Sequence, residues 1–178
     1  MPTAYRAGRV RRSVDGPLVP LSMEKTMADT SAPKELPSWI TDHVNRYQSS
    51  NGEDGYWWDA TIGGGKGNVP TLLLTTTGRK SGRSLTLPLI FGRAGADYVV
   101  VASKGGAPNH PSWYLNLEAN PEVQLQVKAD KFKARARTAS GAERAKLWQT
   151  MAQIYAPYDD YQKKTGREIP VVVLSREG

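Results

Sequence analysis

Three groups of side chains in this chain have the types and spacing to hold or process a ligand. The first is Gly78-Arg-Lys-Ser-Gly-Arg83. Its two glycines permit backbone conformations that aim amide groups outward. Arg79, Lys80 and Arg83 add three cationic donors, and Ser81 adds a hydroxyl. Such a loop can hold phosphate or carboxylate by charge-assisted hydrogen bonds, and the same residues also suit a solvated hairpin turn. The second group is Ser103-Lys-Gly-Gly-Ala-Pro-Asn-His-Pro111, followed by Ser112-Trp-Tyr-Leu-Asn116. Gly105 and Gly106 let a flat ligand approach the backbone, Lys104 offers a cation, and a following helix would point amides at an electron-rich group. The alternative is a plain connection in which Trp113 and Leu117 pack the helix down. The third group is Tyr155, Tyr158 and Tyr161. Each pairs a large apolar face with a polar tip, which suits an aromatic substrate. At i, i+3 and i+6 of one helix they would form a broad face, and a core stripe ending in hydrogen-bonded hydroxyls explains the spacing equally well.

The chemistry these groups lack is as informative. The 178 residues contain no cysteine, which excludes a disulfide scaffold, a thiol nucleophile, a Cys-ligated zinc site and an iron–sulfur centre. Two histidines, His43 and His110, do not make a His-rich metal site, and no metal is expected. There is no nucleophile elbow, no HExxH, no carboxylate pair and no GxGxxG after a strand. Gly63-Gly64-Gly65-Lys66 lacks the spacing of a phosphate loop. A chain with a cationic cradle and no reactive side chain lets a bound cofactor carry the chemistry.

The elements that must position these groups follow from periodicity. Residues 1–35 read as a Pro-containing basic tail, with Met23 and Met27 as alternative starts, and residues 36–178 as the folded domain. A helix is predicted over 37–50, with His43 on its apolar stripe and therefore packed. A Gly-rich loop over 51–69 carries Tyr56, Trp57 and Trp58. Strands are predicted at Thr71–Thr77, Ser84–Phe91, Tyr98–Ala102, Val123–Val127, Lys131–Arg137 and Ile169–Ser175. A short helix is predicted at Trp113–Ala119. A longer one opens on a capping box, Ser140-Gly-Ala-Glu143, and a second piece follows Pro157 to about Lys164. Strands joined mostly by short turns give an antiparallel sheet. The expected class is therefore α+β, a six-stranded, mainly antiparallel split or closed β-barrel with flanking helices.

The formal net charge of +7 is unevenly placed. Arg6, Arg9, Arg11 and Arg12 stand together in the tail. Residues 60–117 hold Lys66, Arg79, Lys80, Arg83, Arg93 and Lys104 against Asp97 alone, in Gly-rich chain, which points to an anionic ligand. The bases of Lys131–Arg137 fall on one strand face that is read as solvated and as a guard against edge pairing. No nucleic-acid module is recognisable, so nucleic acid is not the expected partner. No apolar run approaches a membrane span.

Several of these stretches are similar to a known family. Leu72-Leu-Leu-Thr-Thr-Thr-Gly-Arg-Lys-Ser-Gly82, Pro88-Leu89, Ala102-Ser-Lys-Gly-Gly106, Pro111-Ser-Trp-Tyr-Leu-Asn-Leu117, Asn120-Pro121, Tyr155–Tyr161 and Arg167-Glu-Ile-Pro-Val-Val-Val173 closely resemble the deazaflavin (coenzyme F-420)-dependent nitroreductase and quinone reductase family of actinobacteria. The likeness runs from about Trp39 to Ser175. It implies a flavin-reductase-like split barrel and reduced coenzyme F-420, an 8-hydroxy-5-deazaflavin with a phosphate and an oligoglutamate tail. By this resemblance Arg79, Lys80 and Ser81 grip the tail, with Arg83 standing in for a family arginine that falls at Leu85 here. Pro88, Leu89, Ala102, Ser103, Lys104, Ser112, Trp113 and Asn116 bind the cofactor. Ser112 replaces a methionine common at the ring contact. Tyr161 and Trp113 contact substrate, and Ser103, Tyr155 and Tyr158 are the catalytic hydroxyls.

The resulting expectation is hydride transfer from reduced coenzyme F-420 to an electron-poor small-molecule acceptor such as a quinone, an activated alkene or a nitroaromatic. Two other readings stand beside it, a barrel that binds flavin mononucleotide and a deazaflavin carrier without turnover. The expected place is the cytoplasm, with the Arg-rich tail offering peripheral contact with the inner membrane face. The sequence fixes no oligomeric state.

Overall fold

The leucine- and threonine-rich run Asn68–Thr77 becomes the longest strand among the described residues and pairs on both sides. A computed structural model of the chain describes residues 36–178. The elements in order are α1 (Ser38–Ser49), β1 (Trp57–Asp59), β2 (Asn68–Thr77), β3 (Ser84–Ile90), β4 (Gly92–Ala94) and β5 (Asp97–Val101). They continue as α2 (Ser112–Ala119), β6 (Glu122–Val127), β7 (Asp130–Thr138), α3 (Gly141–Ile154), α4 (Pro157–Lys164) and β8 (Val171–Arg176). Short 3-10 turns occupy Ala60–Gly63 and Lys104–Gly106. The tail and the alternative starts at Met23 and Met27 lie outside the described residues.

All six predicted strands form. β1 and β4 are additions to the predicted set, because three-residue strands beside glycines are too short for alternation to show. Every pairing is antiparallel, in the order β1-β2-β6-β7-β8-β5-β4. β3 pairs with the other side of β2, and only Phe91 separates it from β4, so the sheet curls back on itself into a barrel. β4 and β5 pair Gly92 with Val99 and Arg93 with Tyr98. Continuing that register would set Leu89 opposite Ala102 and Pro88 opposite Ser103. No ladder forms there, so β3 keeps an unpaired edge. That gap is the split in the barrel.

Strand alternation divides the apolar side chains into two layers. Leu72, Leu74, Val100, Leu125 and Leu174 fill the barrel. Val99, Val101, Val171 and Val173 point outward and are covered by Leu147 and Met151 of α3. On β7, Ala134 and Ala136 go inward while Lys131, Lys133, Arg135 and Arg137 are exposed, as their alternation predicts. A groove of about 380 Å³ lies on this outer face between Thr75, Thr86, Gln124 and Lys133, and it is also lined by Leu73, which pairs with Pro88 across the β2–β3 ladder.

One predicted local device does not form. Ser140 is the N-cap of α3 but makes no capping hydrogen bond. Glu143 is instead held by the Arg137 guanidinium at 2.7 and 2.9 Å. A bidentate charged pair outcompetes a backbone N–H for the same carboxylate.

His43 is packed, as expected, with its Nε2 at 2.8 Å from the Gly55 carbonyl. The stronger pin from α1 is Tyr47, which is fully buried. Its hydroxyl donates to the Thr71 carbonyl at 2.9 Å and accepts the Lys128 N–H at 3.0 Å. It thereby ties α1 to β2 and to the β6–β7 turn. Tyr47→Phe leaves that amide and carbonyl without their partner. The expected loss is about 2 kcal/mol in urea denaturation, and a loss below about 0.5 kcal/mol would show that the pin is dispensable.

Candidate functional site

β3 faces the split with an unpaired edge. The hydrogen bonds Gly78 N–H to Arg83 C=O (2.7 Å) and Phe91 N–H to Pro70 C=O (3.2 Å) fix the phase of its ladder with β2. Residues 85, 87 and 89 therefore direct their backbone groups to β2, and 84, 86, 88 and 90 direct theirs to the open edge. Pro88 suits that position because it has no N–H to leave bare. Its side chain shares the outer face with Leu73, opposite it in register, whereas Leu89 packs partly buried against the barrel core. Pro88 and Leu89 are thus adjacent in sequence but present different groups. In the continued β4–β5 register, Ala102, which is fully buried, and Ser103, which is half-buried, fall opposite Leu89 and Pro88, and the exposed Lys104 follows them.

One end of the β3 edge runs into the cationic turn. Gly82 adopts φ +73°, and its N–H donates to the Gly78 carbonyl at 2.8 Å. The Arg83 N–H donates to Ser81 Oγ at 3.1 Å, so Ser81 braces the turn. Asn116 of α2 anchors it from below. Its Oδ1 accepts the Arg79 N–H at 3.1 Å and the Arg79 Nη1 at 3.3 Å, while its Nδ2 donates to Thr76 Oγ1 at 3.1 Å. Asn116 is 4% exposed with both ends of its amide engaged, so it acts on the turn. Arg79, Lys80 and Arg83 are exposed and form no ion pair among the described residues. A group of three clustered cations with no internal counter-charge fits a polyanion.

The Lys104–Gly106 wall is held by a residue to which the sequence assigns no role. Lys104, Gly105 and Gly106 have φ of 47°, 63° and 81° in succession, which leaves neighbouring carbonyls without a regular ladder. Arg167 collects them. It donates to the carbonyls of Ala107 (2.8 Å), Ser103 (2.8 Å) and Ala102 (3.3 Å) and lies 3.0 Å from His110 Nδ1. Burial lowers its pKa from the ordinary arginine range. Ser112 is exposed at the start of α2, and Trp113 behind it is a core residue, 5% exposed and edge-on to Tyr114.

The three tyrosines meet, though not on one helix as their spacing suggests. Tyr155 ends α3 with an extended backbone (φ −142°, ψ 91°), and Tyr158 and Tyr161 belong to α4. Their ring centroids lie 5.0, 6.2 and 6.3 Å apart. The Tyr155 hydroxyl donates to the Gly63 carbonyl at 2.9 Å and is 3.0 Å from the Tyr161 hydroxyl. With its one proton on Gly63, Tyr155 must accept from Tyr161. Tyr158 is 4% exposed and makes no hydrogen bond with a described residue. Burial raises the pKa of Tyr158 and Tyr155 well above the usual phenol value, so both are neutral at physiological pH.

The glycine-rich stretch near Lys66, discounted as a phosphate loop, is the floor under Tyr155. A Cβ on Gly63 would come within 2.0 Å of the Tyr155 hydroxyl, and one on Gly65 within 2.9 Å of its ring. Among the described residues no cluster of ligating side chains could hold a metal, and no helix is long and apolar enough to cross a membrane. Gly63→Ala should destabilise the chain by about 2 kcal/mol, and by at least about 1 kcal/mol less when Tyr155→Phe is already present. Additive effects in that denaturation cycle would show that the glycine serves something other than Tyr155.

The chain is similar to known proteins. The sequence profile of the F420H(2)-dependent quinone reductase family matches residues 39–176. An F420H(2)-dependent quinone reductase of Mycobacterium tuberculosis is 38% identical over 154 residues, spanning 80% of this chain and 99% of the relative. A solved F420-H2 dependent reductase, FDR-A, is 44% identical, with a TM-score of 0.56 over 60% of this chain and 94% of its own. Another solved structure, described as a domain-swapped dimer, is 37% identical, with a TM-score of 0.58 over 78% of this chain and 98% of its own. The chain therefore belongs to the F420H(2)-dependent quinone reductase family, oxidoreductases whose reductant is reduced coenzyme F-420.

Proposed function

We propose that residues 36–178 form a reductase domain whose split barrel binds reduced coenzyme F-420 and passes its reducing equivalents to a quinone at the tyrosine face. The observation that carries this reading is one of placement. The unpaired β3 edge falls in the continued β4–β5 register opposite Ala102 and Ser103 near one end and leads to the Arg79–Arg83 turn at the other. The seven residues of β3 span about 20 Å, a distance that suits a ring bound at one end and an anionic tail at the other.

When bound, the coenzyme supplies the hydride. The chain supplies the rest. Arg79, Lys80 and Arg83 neutralise the tail, and Ser81 and Asn116 keep their turn in shape. The Pro88 carbonyl, the Ile90 N–H and the Ala102–Lys104 backbone border the ring site. The neutral Tyr158 and Ser103 hydroxyls offer hydrogen bonds to the acceptor oxygen that gains negative charge. Tyr155 holds the tyrosine cluster in place, since its proton is committed to Gly63.

The direct test mixes purified chain with reduced coenzyme F-420 and menadione and follows reoxidation. Turnover is expected. Tight binding without turnover for any acceptor would indicate a carrier, and binding of flavin mononucleotide alone would indicate a flavin protein. In the same assay the double variant Arg79→Ala, Lys80→Ala should weaken coenzyme binding at low salt by about tenfold or more with an unchanged unfolding midpoint. Unchanged affinity would remove the turn from the site.

The raised tyrosine pKa values also set the pH behaviour. The folded chain keeps Tyr155 and Tyr158 protonated where an unfolded tyrosine, with pKa about 10, ionises. Their contribution to stability is therefore complete below pH about 10 and is lost as pH rises above it. Turnover should show no alkaline limb from these phenols below pH 9. A tyrosinate absorbance change with loss of rate near pH 8, abolished in Tyr158→Phe, would contradict this.

A further inference from the structure

Arg167 lies in the connection between α4 and β8, yet all its side-chain contacts above are to residues 57 to 65 positions earlier. Four of its five N–H groups are committed to Ala102, Ser103, Ala107 and His110, and no carboxylate pairs with it among the described residues. A planar fork of donors can bridge three separate carbonyls, which a lysine ammonium cannot do in the same plane. The other end of the residue is equally fixed. The Arg167 carbonyl accepts Gln162 Nε2 of α4 at 2.8 Å. Gln162 Oε1 in turn accepts the Ile169 N–H at 2.9 Å and Arg144 Nη2 at 3.3 Å, and Arg144 Nη2 also donates to the Ile169 carbonyl at 2.6 Å. The loop touches α4 a second time, because Gly106 is packed so close to Tyr161 that a Cβ would lie 2.8 Å from the Tyr161 carbonyl oxygen.

We propose that Arg167 is a positioning residue, which locks the Ala102–Ala107 loop to the α4 segment and so sets the separation between Ser103 on the cofactor side and Tyr158 on the acceptor side. The inference rests on the reading of the split as the coenzyme site. It adds that one guanidinium, in contact with neither ligand, controls the spacing across which transfer occurs. Geometry of this kind acts on the rate of the bound complex more than on the affinity of a tail held at Arg79–Arg83.

The test uses the full chain and the variant Arg167→Lys, with two readouts. Without coenzyme, amide hydrogen exchange is followed at Gly106 and Ala107, whose N–H groups bond the Ser103 and Lys104 carbonyls at 2.9 and 3.1 Å. Exchange there should accelerate by about tenfold or more, while Val100 and Val172 in the paired strands stay unchanged. With saturating reduced coenzyme and menadione, single-turnover transfer should slow by about tenfold or more while the coenzyme dissociation constant changes by less than about threefold. Unchanged exchange and unchanged transfer overturn the proposal, as does acceleration spread evenly over β5 and β8. If Arg167→Lys does not fold, Gln162→Ala, which frees the Arg167 backbone and keeps its guanidinium, is read in the same way. A wild-type chain with no turnover on any acceptor would overturn the proposed function, and the exchange result would still decide the role of Arg167 in the loop.

Discussion

The structure depends on a sheet that closes through β4 and β5 but fails to close through β3. Phe91 is the only residue between β3 and β4, so the strand cannot leave the barrel. Beyond the β4–β5 ladder it forms no ladder with Ala102 and Ser103. A bare strand edge is ordinarily a liability. Here Pro88 blunts it, the hairpin turn at its end is charged, and the facing wall is built from left-handed loop residues that cannot extend the sheet. The same features that prevent wrong pairing leave a slot with backbone groups on one side and a cationic end.

Around that slot the labour is divided by chemistry. The apolar layers, with Leu72, Leu74 and Val100 inside and Val99, Val101 and Met151 outside, hold the barrel and carry no reactive group. The polar side chains of Asn116, Arg167 and Tyr155 hold the walls of the slot by bonding to main chain. The groups left unmatched are the exposed cations of the turn and the hydroxyls of Ser103 and Tyr158. The exposed cations are solvated by water, whereas a buried hydroxyl without a partner, as in Tyr158, carries a desolvation cost, and under the proposed function both serve the ligand and its acceptor.

Much of this was legible in the sequence because it is local. The long strands show as alternating or β-branched runs, and Gly78–Arg83 shows as a turn with three cations within five residues. The resemblance to a known family supplied the cofactor, which no spacing rule could have named. What was not legible is either too short to show a pattern or set by tertiary partners. β1 and β4 are too short to alternate. The capping box at Ser140 failed because Arg137, on a neighbouring strand, took Glu143 first. The break at Pro157 was expected and is seen, but the convergence of Tyr155 with Tyr158 and Tyr161 across it was not legible. The placement of Asn116 under the turn and of Arg167 behind the loop depends on partners tens of residues away, mostly main-chain carbonyls that carry no residue-type signal.

On the proposed function, the slot and the cationic turn are two halves of one site for one anionic ligand. The most direct measurement compares the binding of coenzyme F-420 with that of its tailless deazaflavin fragment, by fluorescence titration across a range of salt. The account predicts that the full coenzyme binds about tenfold tighter or more at low salt, that this advantage shrinks as salt rises, and that the fragment's affinity stays nearly constant. Equal affinities at low salt, or the same salt dependence for both, would contradict it.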